Sequence, residues 1–291
     1  MSGRKLWQPA GLSAAVFATA LQAWGIGNFA DYMKSAKQFE GHKQYQLAAT
    51  SYQEAVKLKP ENYEAELGLG RSLSRLDDQD RALLALFNAL QANPKEVEPR
   101  AEIAAILMKR GSYDEAGGQL KQVLDVMPNA LDVRGNYALC LTSLGYVDQA
   151  IEQYRFILTK NSKSLEGYYN LAIALQRRGS WDDAASSYRK VISMAPKNSL
   201  AYTGLGQCLL AKHEVQAAVA AERKAIELYP NNYWAYLYLG QMSEVLGDSR
   251  AANDSYRRAI QINPKDPACK VALAHLLKEK LGVASLGQGN Y

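Results

Sequence analysis

Along most of the chain, apolar residues return every three or four positions, as in Tyr168, Leu171, Ala172 and Leu175, and again in Ala184, Tyr188 and Val191. That spacing predicts amphipathic helices, here in consecutive pairs. The pairs recur with a fixed period. Six of the nine prolines, Pro60, Pro94, Pro128, Pro196, Pro230 and Pro264, stand 34 residues or twice that distance apart, with Ser162 at the skipped place. Twelve residues before each of these seven places is an alanine: Ala48, Ala82, Ala116, Ala150, Ala184, Ala218 and Ala252. Twelve before those come Ala36, Gly70, Ala104, Ala138, Ala172, Gly206 and Gly240, all small. The frame is therefore 29–62, 63–96, 97–130, 131–164, 165–198, 199–232 and 233–266. Gly111, Gly145, Gly179 and Gly247 mark the break between the two helices, where a left-handed residue ends a helix without steric cost. Proline closes the second helix because it cannot continue the ladder. One such hairpin cannot bury its apolar face alone, so the units must stack on one another.

Segments such as YNLAIALQRRGSWDDAASSYRKVISMAP (169–196) and YLGQMSEVLGDSRAANDSYRRAIQINP (238–264) resemble the tetratricopeptide repeat family, with its small-residue, Tyr/Phe and Pro pattern. The resemblance covers residues 29–281 and implies an all-α fold: a right-handed α-solenoid of stacked antiparallel helix pairs. Four places depart from the pattern. Arg100 and Arg134 stand where the family has a large apolar residue, Ser162 replaces proline, and Glu222 replaces an aromatic. These affect local packing in repeats 3, 4 and 6 rather than the architecture.

The two ends differ. PACKVALAHLLKEKL (267–281) reads as an amphipathic capping helix, with Val271, Leu273, Leu276, Leu277 and Leu281 supplying apolar bulk and Lys270, Lys278, Glu279 and Lys280 staying wet. Residues 282–291 have turn composition and are expected to be a flexible tail. At the other end, the 25 residues from Leu6 to Ala30 carry no charge and follow Arg4 and Lys5. Segment 1–28 suits a secretory signal or a membrane anchor, and the alternative is a buried capping helix on repeat 1. Localisation is accordingly expected to be membrane-associated or exported (periplasmic or secreted), with the cytoplasm as the alternative, and residues 6–30 are the stretch for any membrane attachment.

Composition narrows the function. The net charge of +5 is mild in 291 residues and no run of five like charges occurs, so nucleic acid is not indicated. Three cysteines form no CxxC spacing, and Cys140 and Cys208 share a repeat place two units apart, too distant to bridge. His42 and His213 fall at turns and His275 in the cap, too scattered for a shared metal. No phosphate loop, HExxH or GxSxG is present. The reading is a non-catalytic protein with no cofactor and no metal.

The family resemblance implies that places 2, 5, 6, 9, 12 and 13 of each first helix point into a concave groove that holds peptide or partner segments. Those places carry a basic strip in repeats 1–3, Lys34, Lys37, Arg71, Arg75 and Lys109, which would attract an acidic partner or would be balanced by Glu64 and Glu98. In repeats 4 and 5 they carry Asn136 and Asn170, with Tyr169 and Arg177 nearby, suited to pairing with an extended backbone. Repeats 6 and 7 supply Gln207, Trp234, Tyr238 and Gln241, an aromatic and amide zone that serves either as anchors or as inter-repeat packing. The clamp that some relatives use for acidic chaperone termini is not matched by Gly135, Leu139, Leu200 and Gly204. The function expected is an interaction scaffold binding an extended segment in this groove, organising a membrane-associated or exported assembly. The alternative is a regulatory or targeting subunit of a soluble enzyme complex, and self-association stays open.

Overall fold

The structure, a computed structural model, describes residues 27–287. The described residues form helices without a strand: α1 (Phe29–Gly41), α2 (Tyr45–Leu58), α3 (Tyr63–Arg75), α4 (Gln79–Ala92), α5 (Glu98–Lys109), α6 (Tyr113–Val126), α7 (Leu131–Ser143), α8 (Val147–Lys160), α9 (Leu165–Arg178), α10 (Trp181–Met194), α11 (Ser199–Ala211), α12 (Val215–Leu228), α13 (Tyr233–Val245), α14 (Ser249–Ile262) and α15 (Pro267–Gly287). Each 34-residue frame holds one pair, and the fold is all-α of the solenoid class. The chain divides into two compact units, Met1–Cys140 and Leu141–Tyr291, with the division inside α7.

Local chemistry sets each pair. The residue just before a frame caps the first helix: Asn28, Asn62, Ser164, Asn198 and Asn232 each accept a hydrogen bond from the backbone N–H three residues on. Between the helices, the fifteenth residue of all seven frames is left-handed. Gly111, Gly145, Gly179 and Gly247 take this at φ of +74° to +87°, but Lys43, Asp77 and His213 also adopt it, at φ of 59°, 65° and 63°. After the second helix, the residue preceding each proline is extended, as in Lys59 (φ −142°, ψ 84°). Asn161, before Ser162, holds the same conformation (φ −136°, ψ 84°), so losing that proline leaves the turn intact.

Packing follows the small residues. The seven alanines from Ala48 to Ala252 are fully buried, as are Ala36, Ala104, Ala138 and Ala172. In the first unit Ala36, Ala48, Ala82, Ala104 and Ala116 lie in one core with Tyr52, Leu86, Ile103 and Leu120. In the second unit, Leu209, Ala218 and Met242 form one cluster, and Tyr233, Leu237 and Tyr256 another. A Cβ on Gly204 would lie 2.2 Å from Tyr188 Cζ, and one on Gly68 would lie 2.3 Å from Tyr52 Cζ. In both cases a tyrosine of one second helix seats against a glycine in the next frame.

The two charged replacements at the fourth place are accommodated by polar partners. Arg100 donates to Gln119 (3.0 Å) and Arg134 to the Pro128 carbonyl (2.5 Å). Glu66, at the same place in repeat 2 and buried, accepts from Asn88 (3.0 Å).

The C-terminal helix corrects two expectations. It continues to Gly287, so residues 282–287 are helical rather than a loose tail. Its buried side is Cys269, Ala272, Leu273 and Leu276, packed on Tyr233, Leu237, Tyr256 and Ala259, whereas Val271 and Leu277 are exposed. Among the described residues no helix is long and apolar enough to cross a membrane, and residues 1–26 of the apolar N-terminal segment lie outside them.

Candidate functional site

In the first unit the basic strip is largely spent on internal pairs. Lys37 reaches Glu64 of the next repeat (2.8 Å), and Arg71 meets Glu98 as well as Glu102 (3.1 Å). Lys109 meets Asp77 (2.6 Å). Each of these three faces an acid of a neighbouring repeat, which turns that part of the row of cations into ion pairs. Lys34 and Arg75 are exposed. Three of the five cations therefore have an acid close by, and exposed ion pairs of this kind present less net charge to a partner than lone cations do. Asn136 is exposed in the same unit.

The second unit contains a cleft of about 690 Å³, open to solvent, built on the first helices of repeats 5, 6 and 7. Tyr169, Ile173, Gln176 and Arg177 come from α9, where the spacing places them on one face. Leu200, Thr203, Gly204 and Gln207 come from α11, and Trp234 and Tyr238 from α13. Trp181 and Tyr188 of α10 complete it.

Its side chains are fixed by contacts with each other. Tyr188 donates its hydroxyl to Gln176 Oε1, and the Gln176 amide donates to Gln207 Oε1 (3.2 Å). Tyr169 sits edge-on to Tyr188 at 5.9 Å, while Trp234 and Tyr238 stack at 6.1 Å with an 18° interplanar angle. Trp234 is 46% exposed, so an indole face is presented to solvent at almost no further ordering cost. Arg177 donates Nη1 to the Thr142 carbonyl (2.8 Å), which anchors the guanidinium at the end of α7. Behind the cleft, the buried Asn232 amide donates to Ser199 Oγ (2.7 Å) and Thr203 Oγ1 (3.1 Å) and accepts from Ala235 N. Repeats 6 and 7 are tied together there.

Glu222 of α12 lies against this floor and is fully buried. A Cβ on Gly206 would lie 2.5 Å from its Oε1, and neither carboxyl oxygen has a hydrogen-bond partner of good geometry. Burial pushes its carboxyl up to about 9, with the nearby Thr203 hydroxyl pulling only partly the other way. It is therefore neutral at pH 7. Burial, and then Glu222, raise the Tyr238 phenol.

Of the residues singled out from sequence, the cleft brings together Tyr169, Arg177, Gln207, Trp234 and Tyr238. Asn170 and Gln241 are half-buried in the same unit and are not among its lining. Ile173, Gln176, Leu200, Thr203 and Gly204 were missed although they occupy inward places of the repeat. Trp181 and Tyr188 were missed because only first helices were considered. Among the described residues no group of three His, Cys, Asp or Glu is placed to hold a metal, and Cys140, Cys208 and Cys269 are buried free thiols.

Comparison with known proteins gives one consistent result. A profile described as tetratricopeptide repeat matches residues 34–97 and 169–233, and a second of the same description matches 222–252. No curated protein matches the sequence. Among solved structures, a tetratricopeptide repeat protein from Parabacteroides merdae is similar at 19% identity and a TM-score of 0.68, over 86% of this chain and 98% of that one. YrrB, described as a tetratricopeptide repeat protein with an unusual peptide-binding site, is similar at 20% identity and 0.57, over 65% and 97%. PilF of Pseudomonas aeruginosa is similar at 15% identity and 0.59, over 73% and 97%. At these identities the likeness concerns the fold.

Proposed function

The chain belongs to the tetratricopeptide repeat family, and from that premise we propose that it is a non-catalytic scaffold whose second unit holds an extended segment of a partner protein in the cleft of α9, α11 and α13. The family's fold serves protein–protein interaction in general. The observation that carries the finer reading is the cleft itself: five aromatic rings and two glutamines, ordered by mutual contacts and open to solvent. Rigid aromatic faces supply anchor energy at low entropic cost, and amides pair with peptide groups regardless of sequence. YrrB is described as binding peptide, which is in keeping with such a role. The apolar segment 1–28 supports a membrane-associated or exported setting, and fractionation with N-terminal sequencing tests it.

The binding test uses peptides displayed on phage and selected on the full chain. Retained peptides should bind at least about tenfold more weakly to Trp234→Ala and to Tyr169→Ala, as for anchor residues at an interface centre. Peptides whose affinity is the same for both variants would place binding elsewhere.

A further inference from the structure

We propose that the end of the cleft made by Thr203, Trp234 and Tyr238 takes a lysine or arginine side chain of the bound segment, with Glu222 as its counter-ion. This rests on the reading of the cleft as a segment-binding site and adds the chemistry of one anchor.

The position of Glu222 is otherwise filled without charge. The corresponding residue is Tyr52, Leu86, Leu120, Tyr154, Tyr188 and Tyr256 in the other repeats, all fully or almost fully buried. Leucine suffices there in two of them, so bulk alone does not call for a carboxyl. Tyr52, Tyr188 and Tyr256 each donate to an acceptor twelve residues earlier, namely Glu40, Gln176 and Glu244. Twelve residues before Glu222 is Leu210, so the repeat has exchanged the acceptor as well as the tyrosine.

A second exchange sets the carboxyl, itself fully buried and outside the cleft lining, directly behind the cleft wall. Where Tyr52 and Tyr188 press on Gly68 and Gly204 of the following frame, the residue at that place after Glu222 is Tyr238. A smaller side chain in α12 makes room for a ring in α13. The carboxyl then neighbours Thr203 and Tyr238, both of which line the cleft. The stacked faces of Trp234 and Tyr238 carry the negative side of the ring quadrupole and attract a cation.

No basic group among the described residues already answers Glu222. From α11 it meets Thr203 and the backbone at Gly206, and from α13 the Tyr238 phenol. On its own helix, Arg223 is exposed and Lys224 pairs with Glu227 (2.6 Å). Arg177, the basic residue in the cleft lining, is held by the Thr142 carbonyl. A ligand cation supplies the missing partner. As it docks, the neutral carboxyl gives its proton to solvent and becomes the carboxylate that balances the ammonium or guanidinium from behind Thr203 and Tyr238.

The test takes the tightest phage-selected peptide that loses affinity on Trp234→Ala. It should carry Lys or Arg at a fixed position, and replacing that residue with norleucine should cost about tenfold or more. Calorimetry at pH 7 in two buffers of different ionisation enthalpy should show about one proton released per peptide bound. Affinity should rise between pH 6 and 8, by up to about tenfold per unit, and Glu222→Gln should abolish both the rise and the preference for the basic residue. A peptide that depends on Trp234 but carries no basic residue, releases no proton, or binds Glu222→Gln as tightly overturns the proposal and leaves the cleft reading standing. Peptides indifferent to Trp234→Ala overturn both. The norleucine exchange and the proton count use the wild-type chain, so they hold even if the variant folds poorly.

Discussion

Glu222 also makes a stability prediction that needs no ligand. Its carboxyl titrates at about 9 in the folded chain against 4.5 for the ordinary group. Because the folded value is raised, the unfolded chain releases the proton first as pH increases. The stabilisation is complete below pH 4.5 and is lost progressively as pH rises towards 9. At about 1.4 kcal/mol per pH unit, the loss between pH 4.5 and pH 7 is about 3 kcal/mol. Glu222→Gln keeps the shape and removes the titration. It leaves two amide hydrogens in a site that satisfies a carboxyl poorly, which costs about 1–2 kcal/mol. The net gain at pH 7 is then about 1–2 kcal/mol. Glu222→Leu, the residue found at this place in repeats 2 and 3, should gain more and be equally flat with pH.

The assay is urea unfolding at pH 5, 6, 7 and 8, comparing midpoints of wild type and both variants. Other carboxylates contribute slopes of their own, so the quantity that matters is the difference between curves. That difference should grow with pH. A constant difference, or variants that keep the full wild-type slope, would show that water reaches Glu222 and that it titrates as a surface group.

Three further outcomes follow from the packing. Ala184→Leu puts a large side chain at a fully buried helix contact and should cost about 1–3 kcal/mol, read as a lowered urea midpoint. His213→Gly should instead stabilise, by up to about 1 kcal/mol, because His213 holds φ of +63° where four other repeats use glycine; an unchanged or lower thermal midpoint would count against it. Removing residues 267–287 uncovers Tyr233, Leu237 and Tyr256 and should make the chain self-associate in size-exclusion chromatography, whereas a truncated chain that stays monomeric and equally stable would deny the helix its capping role.

The frame was legible because the repeat constrains the backbone more tightly than it constrains the residues. Lys43, Asp77 and His213 adopt the left-handed turn that glycine takes elsewhere, and Asn161 keeps the pre-proline conformation before a serine. A period visible in alanine and proline therefore locates the turns even where their usual residues are missing. The basic strip was legible only in part. Place along the helix gave its five cations and two of the balancing acids, Glu64 and Glu98, but not Glu102 or Asp77, which meet Arg71 and Lys109 across neighbouring repeats. The length of α15 was hidden by a composition of small residues that a helix tolerates as readily as a turn does.

The cleft shows what one repeat gains by leaving its consensus. A tyrosine against a glycine is one way a frame seats on the next, used by Tyr52 on Gly68 and by Tyr188 on Gly204, and the second of these opens the space that Tyr169, Gln176 and Gln207 border. Repeating that device after α12 would put another glycine where Tyr238 stands and remove one of the two stacked rings. Glu222 avoids this by being short enough to leave room for the ring, and it does so at the expense of an unpartnered carboxyl. A leucine of similar size would also leave room, without the desolvation cost. The departure that looked from sequence like a local packing defect is thus a polar group set behind the most exposed aromatic wall of the cleft, and in the proposed complex its cost is offset by the cation brought to it.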